Sequence, residues 1–159
     1  MFEKLTDPKD VRLWEGRVPI RHRYTPGVAG EAFFTRLRDR GEFLASRCDS
    51  CGITYCPARL FCERCFDGPL PADRTAGPQG TVESFTVGYR GIEGERLQEP
   101  VTVGLIRLDG ADTVLVHFLL GEGFGLGDRV EAVLQPKARR QGSILDVRGF
   151  AATDGKRTR

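Results

Sequence analysis

The first regular apolar pattern along the chain is a four-residue recurrence, Ala29, Phe33 and Leu37, with Phe34 beside it. That spacing lays one apolar stripe along a helix. Glu31 lies early, Arg36, Arg38 and Arg40 lie late, and Gly41 follows as a stop, so charge order and cap agree with the stripe. The pattern predicts a helix over residues 30–40. Before it, residues 1–24 carry alternating charges and scattered anchors (Leu13, Trp14, Val18, Ile20, Tyr24) with no sustained period. Such a segment buries too little apolar surface to order alone, so it is expected to lie on the rest of the chain or on a partner.

Beyond Gly80 the pattern becomes a series of short apolar runs between turn residues: 80–87, 101–108, 113–120, 129–134 and 144–150. Asp109 and Gly110 between the second and third runs are a hairpin signal. Five strands in about 70 residues leave no room for crossover helices, which predicts a mainly β fold closing as a small Greek-key barrel of OB type. The second and third runs are apolar on both alternating faces: Val101, Val103 and Leu105 against Ile106 and Leu108, then Val114, Val116 and Phe118 against Leu115 and Leu119. Strands covered on both sides read this way. A nucleic-acid platform needs exposed aromatics and a basic groove, and only Phe118 and His117 could serve, so this face is expected to pack against other protein.

Between helix and strands lies RCDSCGITYCPARLFCERCF, residues 47–66, with two C-x-x-C pairs separated by ten residues. Each pair can turn both sulfurs toward one point, and Gly52 permits the positive φ such a knuckle often needs. Two knuckles make a tetrahedral site for one structural zinc, with Cys48, Cys51, Cys62 and Cys65 as ligands. Two disulfides are the competing reading. The opening MFEKLTDPKD carries no apolar signal segment, which implies a reducing, cytoplasmic setting and favours metal. Cys56 falls outside the knuckle spacing and reads as a small hydrophobe or, with less support, a reactive thiol. Four thiolates leave zinc no open position, so the site is structural and does no Lewis-acid chemistry.

The Pro/Gly-rich stretch 67–80 separates ribbon from barrel. The modules expected are an N-terminal arm and helix (1–41), a ribbon (42–70), a linker (71–79), a barrel (80–151) and a tail (152–159). The net charge of +2 is too near neutral for a general polyanion binder, and no run approaches the ~20 apolar residues of a membrane span. GEGFGLG, 121–127, is followed by a strand rather than a helix, so it is a loop and not a phosphate cradle. Lys137, Arg139 and Arg140 form a basic loop, read either as a solvated turn or as an anion-reading loop at the barrel mouth. The helix arginines carry the same two readings, solvated face or phosphate grip. His22 and His117 lie in different elements, and no catalytic constellation can be named.

Taken together, Tyr24, Gly27, Gly30, Phe33, the four ligand cysteines, Gly52, Pro57, Arg59, Gly80, Val82, Gly142, Ser143, Ile144, Asp146 and Phe150 resemble the zinc-ribbon OB-fold proteins associated with acyl-CoA enzymes, over about residues 20–150. That family was long catalogued as of unknown function. The resemblance implies a rubredoxin-like zinc ribbon and a non-catalytic partner of a thiolase or thiolase-like aldolase, sharing its acyl-CoA substrate. An acyl-CoA hydratase is the alternative partner, and a nucleic-acid-binding OB protein the alternative role. Cys56 departs from the family, which more often has Phe or Pro before the Pro-x-Arg. With that role, Arg36, Arg38, Arg40, Arg47 and Arg59 are the candidate contacts to the phosphates of coenzyme A.

Overall fold

A computed structural model describes residues 24–153. Readings that fall on residues 1–23 and 154–159, including the anchor role of Trp14, lie outside the described residues. One helix, α1 (Gly27–Arg40), is followed by strands β1 (Phe43–Arg47), β2 (Thr54–Tyr55), β3 (Arg74–Ala76), β4 (Gln79–Arg90), β5 (Arg96–Leu108), β6 (Val114–Leu120), β7 (Arg129–Leu134) and β8 (Val147–Ala152). Three short strands form the ribbon sheet in the order β2-β1-β3, and five close a barrel in the order β4-β5-β6-β8-β7. The barrel closes where β6 and β8 pair in parallel at Leu119 and Leu120 against Phe150 and Ala151. The mainly β architecture and the five-stranded OB-type barrel are as the apolar runs predict. Among the described residues no helix is long and apolar enough to cross a membrane.

The helix starts three residues earlier than the periodicity predicts, at Gly27 behind Pro26. Glu31 therefore lies beyond the first turn, which holds no acid, while the basic end is as expected, with Arg38 and Arg40 in the last turn. Gly41 stops it in a left-handed conformation, φ 73°, its N–H donating to the Leu37 carbonyl at 2.9 Å. Strands β4 and β5 overrun their apolar cores and continue as an exposed two-stranded arm to Arg90 and Arg96. Residues 74–76, in the stretch that reads as linker, pair antiparallel with β1. The last strand begins at Val147 and not at Ile144, because residues 144–146 are a 3₁₀ turn. Its cause is local: the Asp146 carboxylate accepts the N–H groups of Gln141, Gly142 and Ser143, and Ser143 Oγ accepts that of Leu145. Short polar side chains that satisfy nearby backbone in this way outcompete a ladder.

One core runs through all three parts. Phe33 and Leu37 of α1 press on Phe43 of β1, and Phe43 meets Phe150 of β8 with ring centroids 6.3 Å apart. Val82, Ile106, Leu108 and Val130 fill the barrel below them. Full burial of such side chains stabilises by roughly 1.5–3 kcal/mol each, enough to hold a lone helix that would be marginal in water. A smaller cluster of Cys48, Tyr55, Cys62 and Leu70 lies at the metal site. On β6 the burial alternates strictly: Leu115, His117 and Leu119 point in, whereas Val114, Val116, Phe118 and Leu120 point to solvent. The two-sided apolar pattern thus describes one buried face and one apolar face that the described residues leave open.

Candidate metal centre and its flanking cations

The first knuckle leaves the end of β1. Cys48 N–H donates to the Ile53 carbonyl, and Gly52, at φ 71°, donates back to the Cys48 carbonyl at 2.7 Å. The second repeats the turn with Phe66 N–H on the Cys62 carbonyl at 2.9 Å, but here the residue after the second cysteine is Phe66, held at φ 60°. The four sulfurs lie within 4.8 Å of one another, and Cys48 Sγ is 3.6 Å from Cys65 Sγ. A tetrahedron with metal–sulfur bonds of about 2.3 Å needs sulfurs about 3.8 Å apart, whereas a disulfide needs about 2.05 Å. The geometry therefore selects metal over cystine.

Electrostatics gives the same answer. The neighbouring Cys65 thiol, with burial, pushes Cys51 up to about 12, while the hydrogen bond from Tyr55 lowers Cys62 to about 6. Four thiols this close cannot all ionise beside one another without a cation, and a bound Zn²⁺ supplies that charge. Cys48, Cys51, Cys62 and Cys65 are the site of one structural zinc. Cys48 and Cys62 are buried, Cys51 is half-buried and Cys65 is exposed, so the site is more open on the side of Cys51 and Cys65. Tyr55 is a member of this site that the sequence did not reveal. Its fully buried hydroxyl lies 3.2 Å from Cys62 Sγ, and the Arg59 guanidinium stands 5.1 Å over its ring. Cys56 is no ligand: it is packed in the main core, its Sγ faces the Leu44 carbonyl, and burial pushes its thiol up to about 12.

The five candidate arginines do not form one cluster. Arg36 and Arg40 flank a groove with Ala32, Leu44 and Ala72. Arg38, two residues from each, projects from the opposite side of the helix toward Gly142. Arg47 and Arg59 belong to the ribbon, where Arg47 reaches Thr54 Oγ1 at 3.4 Å. Three of the five already hold carboxylates: Arg36 with Glu42 at 3.1 Å, Arg38 with Asp39 at 2.7 Å, and Arg59 with Glu63. Arg40 and Arg47 have no carboxylate partner among the described residues.

Two family models match parts of this chain. Residues 36–70 match the rubredoxin-like zinc ribbon domain of ChsH2, and residues 73–135 match the C-terminal OB-fold domain of ChsH2. No curated protein matches the sequence. Among solved structures, a protein of unknown function from the DUF35 family of Sulfolobus solfataricus is 30% identical, with a TM-score of 0.58 over 67% of this chain and 78% of its own. The Ltp2-ChsH2(DUF35) aldolase shares the fold at 19% identity, with a TM-score of 0.53 over 86% of this chain and 98% of its own. With the ribbon and the barrel matched in order and the Sulfolobus protein aligned over most of its length, this chain belongs to the DUF35 family of ChsH2-type zinc-ribbon and OB-fold proteins.

Proposed function

We propose that this chain is a non-catalytic subunit that binds and supports a thiolase or thiolase-like aldolase acting on acyl-CoA, and helps to position the CoA thioester. The observation that carries the reading is the apolar face of the barrel that the described residues leave open. Leu105 of β5 lies opposite Val116 of β6, Val103 lies opposite Phe118, and Val116 and Phe118 are 60% and 47% exposed. A contiguous apolar stripe of this kind marks a protein contact, and the ChsH2 chain of similar fold is part of an aldolase complex. In this reading the partner supplies the reacting groups. This chain supplies positioning, which is itself catalytic, since a misplacement of about 1 Å can cost ~10²-fold. Arg36, Arg38 and Arg40 on the helix, with Arg47 and Arg59 on the ribbon, are the candidate phosphate contacts of this reading; they are spread over two sides of α1 and the ribbon, and Arg36, Arg38 and Arg59 would have to exchange a carboxylate for the phosphate.

Co-expression with a thiolase-like enzyme encoded nearby tests it. The expected result is one complex on gel filtration, disrupted by Val116→Asp. Separate elution of the two proteins at micromolar concentration overturns the reading. Within the complex, Arg38→Glu and Arg59→Glu should raise KM for acyl-CoA with kcat nearly kept, the signature of lost uniform binding. Unchanged KM in both would leave these arginines as solvated or structural groups.

A further inference from the structure

We infer that Cys65 is a modification site: of the four ligand thiolates it is the first to react with a small two-electron oxidant such as hydrogen peroxide, and Cys48 resolves the product to a disulfide with loss of the metal. The inference rests on the ribbon alone. It stands whether or not a partner enzyme covers the barrel.

Metal ligation holds all four sulfurs as thiolates, the form that attacks an oxidant. The order in which they react is then set by access and by the hydrogen bonds each accepts. Both differ within each knuckle. Cys48 and Cys62, the first cysteines of the two pairs, are buried. Cys48 Sγ accepts the Cys51 N–H at 3.4 Å. Cys62 Sγ takes the Tyr55 hydroxyl at 3.2 Å, and the backbone N–H groups of Cys65 and Arg64 also act on it. Each such donor draws charge from the sulfur and makes it a poorer nucleophile. The second cysteines, Cys51 and Cys65, accept no N–H or O–H among the described residues. Of these two, Cys51 is half-buried and Cys65 is exposed. Charge and access therefore agree on Cys65. Cys56, the thiol outside the knuckles, is the contrast: it lies in the main core against the Leu44 carbonyl, and burial keeps it protonated.

The surroundings of Cys65 also supply the second half of the reaction. The Cys65 thiolate attacks one oxygen of the peroxide, an S–O bond forms, the O–O bond breaks, and hydroxide leaves; Cys65 becomes a sulfenic acid. Cys48 Sγ lies 3.6 Å from Cys65 Sγ. Its thiolate attacks the oxidised sulfur, the S–S bond forms, the S–O bond breaks, and a second hydroxide leaves. In sum the two sulfurs give up two electrons, the peroxide takes them, and two protons from solvent turn the hydroxides into water. A resolving thiol this close stops the oxidation at the disulfide, which is reversible, before the sulfinic acid, which is not. Only Cys51 and Cys62 then remain as ligands, half of the set a structural zinc requires. The cross-link also joins the end of β1 to the second knuckle, so the ribbon cannot rebind the ion until it is reduced.

The test is exposure of the zinc-loaded full chain to hydrogen peroxide, with metal release followed by a chromogenic chelator and the thiols mapped by mass spectrometry after alkylation without reduction. Zinc release should keep pace with a Cys48–Cys65 cross-link. Dimedone present during the reaction should label Cys65 first, and Cys56 should remain free to alkylate in the denatured chain. Dithiothreitol with added zinc should restore one ion per chain. Cys65→His keeps a four-ligand set that zinc accepts and removes the oxidisable group, so release should slow several-fold. The site is overturned if dimedone first labels Cys48, Cys51, Cys56 or Cys62, if Cys65→His loses zinc to peroxide as fast as the unaltered chain, or if the unaltered chain keeps its zinc and its thiols under peroxide that converts free glutathione to its disulfide. Should Cys65→His fail to load zinc, the dimedone map of the unaltered chain decides alone.

Discussion

At the scale of single residues, the metal ligands differ from their surroundings in how openly the sequence declares them. Spacing alone names Cys48, Cys51, Cys62 and Cys65, because only thiols at knuckle separation can converge on one ion. Cys48→Ser should lose the zinc and lower the melting temperature sharply, since binding free energy at such a site, roughly 10 kcal/mol in peptides, is folding free energy. One zinc per chain by elemental analysis of that variant would refute the assignment. Tyr55 was not legible, because its contact with Cys62 Sγ depends on the register of β2 on β1 and leaves no spacing to read. His117, which the sequence allows beside Phe118 on an open face, lies instead on the buried face of β6. Its Nδ1 accepts the Phe118 N–H at 2.9 Å, and its ring packs edge-on against Phe150. Burial lowers its pKa below the ordinary 6.5, partly offset by a hydrogen bond with the Ile144 backbone. Above about pH 6.5 both folded and unfolded chains hold it neutral and it has no effect on stability. As the pH falls below that value the unfolded chain takes up the proton first, so stability declines until the lowered folded pKa is reached. Denaturant melts between pH 7.5 and 5 should show this loss, and His117→Gln should flatten it.

At the scale of elements, the misreadings share a cause. The helix end, the β hairpins and the barrel strands have periodic or turn signals, and they were readable to within a few residues. The 3₁₀ turn at 144–146 was read as strand because Ile144 and Leu145 are apolar, while the decisive group is one buried carboxylate. β3 was invisible because Arg74–Ala76 has no alternation of its own and is a strand only through pairing with Phe43–Ala45. The second knuckle makes a further point about elements that obey geometry against their own sequence. Phe66 is the one non-glycine at positive φ among the described residues, and it is 81% exposed. A left-handed conformation costs an L-residue roughly 1–2 kcal/mol, whereas the equivalent Gly52 adopts it freely. Phe66→Gly should keep the zinc and raise stability by about 1 kcal/mol, less the backbone entropy a glycine loses on folding. A lower melting temperature would show that the Phe66 ring contributes packing worth more than the strain.

At the scale of the whole molecule, the ribbon is tied to the barrel by more than the stretch between them. Thr54 N–H donates to the Asp112 carboxylate at 2.8 Å, and Asp112 N–H donates back to the Thr54 carbonyl at 2.9 Å. One residue on, Thr113 Oγ1 accepts the Cys56 N–H at 3.0 Å and donates to the Cys56 carbonyl at 3.1 Å. The hairpin turn of the barrel thus serves as an extra edge for β2, a strand of only two residues that could not persist alone. Division of the chain by composition placed a boundary at the Pro/Gly stretch, but it could not reveal this long-range stitch, whose partners are 57 or 58 residues apart. If the stitch couples the parts, zinc should be felt in the barrel. Thr113→Val keeps the shape, removes the hydroxyl and leaves the Cys56 N–H without its acceptor, a loss of about 1–3 kcal/mol. For a chain of this size that corresponds to about 2–4 °C in melting temperature per kcal/mol. Chelation of zinc should free the knuckles and, through Thr54, speed hydrogen exchange at the Asp112 amide, while the Ile106 amide inside the barrel stays protected. The two outcomes are distinct in physical terms. Coupled exchange at Cys56 and Asp112 makes the ion a clamp on the junction between ribbon and barrel. Unchanged protection at Asp112 after complete metal removal would mean that the barrel holds its own turn, and that zinc stabilises the ribbon alone.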